Sequence, residues 1–183
     1  MKKITELTTQ LASIDKEEAK LESLKEKASA DLSLAASPSI SIKDARIKIL
    51  DARLSFDLAD GQLKKIEPLQ EKVGAELFAE IRECAARWNA LVLQKRRTIE
   101  ENLILGTLPE FEHNERAARR WWGSEGRLEQ MPIFAKFRDA YFDESSLLIS
   151  PRWSVSQMAT HFCSWIERHS GALGIKSTDI ESL

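Results

Sequence analysis

Glycine and proline are scarce in this chain. Seven and five of them among 183 residues are too few for a loop-rich or low-complexity protein. Cysteine is scarcer still. Cys84 and Cys163 allow at most a single disulfide, and their separation excludes the Cys-x-x-Cys spacing of redox and zinc sites. Two reduced thiols in the cytoplasm are the expectation. No run approaches the ~20 apolar residues that span a bilayer, so no membrane partner is expected. Glu6, Asp15, Glu17 and Glu18 leave no apolar run after Lys2 and Lys3, so no signal peptide is read there. Charge of one sign is lacking as well: 27 Lys and Arg stand against 29 Asp and Glu, excluding a polybasic or acidic description of the whole chain.

Aromatic residues are absent before Phe56, and ten of thirteen fall between Phe111 and Trp165, which divides the chain into chemically different halves. The first ~105 residues are instead rich in Ala, Leu, Lys and Glu, which favour helix. Composition shifts near Gly106–Pro109. With no alternating period-2 stretch, the expected class is all-α.

Residues 3–32 carry a heptad-like seam. Ile4, Leu7, Leu11 and Ile14 are spaced 3, 4, 3, and Leu21, Leu24 and Ala28 resume at 3 and 4. Glu17 and Glu18 interrupt the strict repeat, as a stammer would. Ser37-Pro38-Ser39 signals a turn, because the residue before proline avoids the α region. Ser41 and Asp44 then have capping-box spacing for a second helix. Its apolar positions are read as Ile47, Leu50, Leu54, Leu58, Ile66, Leu69, Val73, Leu77, Ile81, Ala85 and Trp88. Pro68 removes an amide donor and is expected to kink or break this helix. The predicted architecture is an antiparallel helical hairpin arm over 1–74, from helices 3–32 and 42–67. A helical domain over 75–183 joins it, built on helix 75–105.

Short helices with readable ends complete that domain. Asn114 caps 115–122, and Gly123 can end it. Pro132 suits the first turn of 132–142. Ser154 and Gln157 have capping-box spacing for 155–169, with Gly171 as its stop.

Chemistry-bearing patterns are few. Glu110 and His113 form one Glu-x-x-His unit, but a di-iron bundle needs two of them plus two more carboxylates. His161 and His169 lie eight apart on a predicted helix, while Cys163 falls off that face. No Gly-rich phosphate loop or nucleophile elbow is present. A helix-turn-helix starting near Ser150 lacks room for its recognition helix. Neither catalysis nor a metal or cofactor is therefore expected.

Two binding patterns are left. The seam residues Ile4, Leu7, Leu11, Ile14, Leu21 and Leu24 are candidates for protein contact. The expected role is a non-enzymatic scaffold or protein–protein interaction protein, self-associating as a dimer through its arm. The alternative is nucleic-acid association through Arg116, Arg119, Arg120, Trp121 and Trp122, combining phosphate contact with base stacking. Against it, residues 95–120 hold six Lys and Arg but also five Glu, so the electrostatic footprint is weak.

Overall fold

In the computed structural model, residues 1–35, 42–143, 145 and 154–181 are described. The Ser37-Pro38-Ser39 turn and the Ser41 half of the capping box lie outside them. The fold is all-α. Helix α1 spans Lys2–Ala35 and α2 spans Ile42–Thr107. A 3-10 turn, Leu108–Phe111, leads to α3 (Glu115–Gly123), a second 3-10 turn (Ser124–Gly126), α4 (Arg127–Gln130) and α5 (Pro132–Asp139). Helices α6 (Val155–Leu173) and α7 (Ser177–Glu181) follow. Two compact units result, one of Thr5–Leu77 and one of Met1–Ile4 with Phe78–Leu183.

The first unit is organised by an unbroken heptad. Positions 7, 11, 14, 18, 21, 25, 28, 32 and 35 of α1 are each withdrawn from solvent, at alternating steps of 4 and 3. The expected interruption at Glu17–Glu18 is thus corrected. Glu18 and Lys25 occupy heptad positions themselves, and each meets a polar partner. Gln70 Nε2 donates to Glu18 Oε2 at 2.6 Å and to Asp15 Oδ1 at 3.0 Å. Lys25 Nζ lies 2.5 Å from Asp60 Oδ1 and 5.1 Å from the Phe56 ring centroid. These contacts pair rising residue numbers in α1 with falling numbers in α2. Polar residues inside a seam fix register at some cost in stability.

Pro68 does not end α2, which is helical on both sides of it. Its ring lies on the exposed face, where water can satisfy the carbonyl that the missing amide leaves free.

The second unit has an aromatic core. Trp88, Phe134, Phe137, Phe142 and Phe162 are fully buried. Trp88 Nε1 donates to the Ala140 carbonyl at 2.8 Å. Asn89 bonds the Phe142 backbone twice, donating to its carbonyl at 2.9 Å and accepting its amide at 2.8 Å. That clamp holds the chain just after α5 so that Phe142 packs edge-on against Phe162, with centroids 4.9 Å apart. The Asn114 cap forms as read, accepting from the Ala117 amide. Both halves of the Ser154–Gln157 box are present. Two ends differ from the sequence reading. Helix α5 stops at Asp139, where the chain turns toward the Asn89 clamp. Helix α6 runs through Gly171 and stops at Gly174, whose φ of 60° is the left-handed geometry that closes helices.

Candidate interaction surfaces

In the first half of α2, the apolar residues are divided between two faces. Ala45, Ile49, Ala52, Phe56, Ala59 and Leu63 are withdrawn from solvent. Ile47, Leu50, Leu54 and Leu58, read from the sequence as the core stripe, are instead 52–70% exposed. At 100° per residue these four fall within an arc of about 80°, roughly opposite the buried row. The orientation places three alanines inside, alternating with Ile49, Phe56 and Leu63, and leaves three leucines and Ile47 outside. A helix settling by its own amphipathicity would do the reverse.

Helix α1 shows why the α2 alanines go inward. Its last heptad layers present Ala28 and Ala35, both buried. Small residues there let the backbones approach closely, whereas leucine would hold them apart. Phe56 and Asp60 must also reach Lys25, which fixes the rotation of α2.

Of the seam residues proposed for contact, Ile4, Leu7, Leu11, Ile14 and Leu21 are all buried within the chain. Leu24 is 47% exposed and sits in a cleft of about 410 Å³ with Leu34, Lys27 and Asp51. The spacing 3, 4 that drew in Leu24 is displaced by the true heptad step to Lys25. Ile47, Leu50, Leu54 and Leu58, first read as core, are on the surface instead. The signal for this was in the sequence: Ala45, Ala52 and Ala59 repeat at seven, in phase with Ile66 and Val73.

Within the first unit, Asp60 is the most perturbed carboxylate. Its ion pairs with Lys25 and Lys64 hold its pKa near 2. Within the second unit, Lys3 lies 2.5 Å from the buried Glu80 and lowers that carboxyl's pKa. Cys84 Sγ lies 3.6 Å from Glu80 and 3.3 Å from Arg87. Burial pushes the Cys84 thiol up, the opposite of an activated nucleophile. Cys163 is raised for the same reason, with Glu167 adding to it.

Around α3 the aromatic and basic side chains are only partly withdrawn. Trp122 is half-buried and donates to Thr107 Oγ1 at 3.1 Å. Trp121 is 39% exposed, packs edge-on against Trp122, and carries the Arg127 guanidinium 4.7 Å from its ring. Arg119 is paired with Glu115 at 2.7 Å. Arg116 and Arg120 are exposed and make no ion pair among the described residues.

Metal chemistry gains no support in these surroundings. Glu112 and His113 have φ of 50° and 62°, so the Glu-x-x-His segment leaves the helical path before its histidine. On α6, Trp165 stacks 4.4 Å from His169 and 6.4 Å from His161. Burial, with Arg168 beside it, pushes the His169 pKa below its ordinary value. Among the described residues, no three His, Cys, Asp or Glu converge on a metal-sized site. No helix among them is long and apolar enough to cross a membrane. No family model matches this chain, and no curated protein or solved structure matches it either.

Proposed function

We propose that this protein is a non-enzymatic protein–protein interaction element. It acts through a helical hairpin arm formed by α1 and the first half of α2, and it self-associates. One observation carries the reading: Ile47, Leu50, Leu54 and Leu58 stay outside while Ala45, Ala52 and Ala59 go inside. Contiguous exposed leucines on a rigid helix mark a contact surface. The heptad burial and the polar pairs at Glu18 and Lys25 support a coiled-coil-like arm with a fixed register. Cytoplasmic residence fits the two free thiols. Sedimentation equilibrium of the full chain tests the reading. A monomer–dimer equilibrium that the Leu50→Gln, Leu54→Gln double variant abolishes is expected. A wild-type monomer at all micromolar concentrations removes self-association.

Nucleic-acid association is the second reading. Exposed Arg116 and Arg120, without an ion pair among the described residues, beside a part-exposed Trp121 favour it. Its test is salt-dependent binding to single-stranded DNA or RNA that Arg116→Glu, Arg119→Glu and Arg120→Glu together abolish. Binding unchanged by those substitutions ends it.

A further inference from the structure

The charges flanking the exposed leucines on α2 carry an orientation. Projected at 100° per residue, Arg46 and Arg53 lie along one side of the Ile47–Leu50–Leu54–Leu58 stripe, and Asp44 and Asp51 along the other. Arg46, Asp51 and Arg53 are exposed and engage no partner among the described residues. Their charges are therefore free for an intermolecular contact. Asp57, three residues after Leu54, takes the next core step and Leu58 falls on its flank, so the pattern is confined to residues 46–54.

Two symmetric ways exist to lay this stripe on a second copy of itself. In a parallel pair the two-fold axis runs along the helices, and the basic side of each copy faces the acidic side of the other. In an antiparallel pair the axis is perpendicular to both helices, and each side meets its own counterpart. Over residues 46–54, arginine then faces arginine and aspartate faces aspartate, which repel. We propose that the occupant of the stripe is a second copy of this chain, its α2 running parallel and in register. Arg46 of each copy pairs with Asp51 of the other. The five-residue offset between them is the spacing of flanking ion pairs in parallel two-stranded coiled coils. Ile47, Leu50 and Leu54 supply consecutive core layers at steps of 3 and 4. This inference rests on the self-association proposed above and adds its direction and specificity.

Charge reversal in the full chain tests direction separately from association. Arg46→Asp gives a chain with two aspartates at the paired positions, and Asp51→Arg gives one with two arginines. Each is expected to weaken self-association about tenfold or more in sedimentation equilibrium. An equimolar mixture of the two is expected to form a heterodimer within about threefold of wild-type affinity. Both sites are exposed, so circular dichroism melts of the isolated variants should match wild type. Tighter association of Arg46→Asp overturns the parallel arrangement while leaving self-association standing, because an antiparallel pair would place the new aspartate near Arg53. A mixture that gains nothing over its components overturns it too. A strictly monomeric wild type overturns both this inference and the reading beneath it.

Discussion

Leu54→Gln separates a contact surface from a core. The side chain is 70% exposed in the single chain, so its removal costs the monomer little. Fully burying a leucine is worth about 1.5–3 kcal/mol, and two-thirds of that remains available at Leu54, about 1–2 kcal/mol. A symmetric dimer loses it twice, about 2–4 kcal/mol, which is roughly 30- to 1000-fold in Kd. Glutamine nearly keeps the length and helix propensity of leucine, so the helix itself is preserved. Sedimentation equilibrium should show the loss of affinity. Thermal melting at concentrations well below Kd should coincide for variant and wild type. A truly buried leucine would instead lower monomer stability by about 2–5 kcal/mol. A Kd unchanged within twofold, or a monomer melt lowered on that scale, would refute the argument.

The remaining expectations concern the fold. Asn89→Ala strands the amide and carbonyl of Phe142 and should lower stability by about 1–3 kcal/mol in urea unfolding. Asp60 has a folded-state pKa near 2 against an ordinary 3.8, so its ion pairs stabilise the arm above about pH 4. That contribution is lost as pH falls through 2, and the carbon chemical shift of its carboxyl group should titrate there. A midpoint near 3.8 would show that the Lys25 and Lys64 pairs do not persist in solution. Gly174→Ala, at a φ of 60°, should destabilise by about 1 kcal/mol. Gly61→Ala, mid-helix with open space around it, should stabilise by about 0.5–1 kcal/mol, and differential scanning calorimetry can read the opposite signs.

Local rules carried much of the reading from sequence. Asn114, Pro132 and the Ser154–Gln157 box act through atoms within a few residues, so their helices start where the sequence places them. The continuation of α2 past Pro68 has a different origin. A proline inside a helix loses an amide donor and crowds the carbonyl four residues back, and whether that face is exposed, so that water can take the freed carbonyl, is decided by the fold. Gly171 and Gly174 can each stop a helix, and the structure selects the second.

All-α character, the aromatic-poor first half and the seam from Ile4 to Leu21 were determined by the sequence itself. Helix propensity and 3, 4 spacing of large apolar groups leave few alternatives there. Which face of α2 turns inward was decided only by tertiary structure. Leucine is the stronger hydrophobe, and a helix considered alone would bury Leu50 and Leu54. Pairing with Ala28, Ala35 and Lys25 on α1 instead requires small residues and an aspartate opposite them. Burial belongs to a pair of surfaces rather than to one, and that is why the leucines on α2 remain outside.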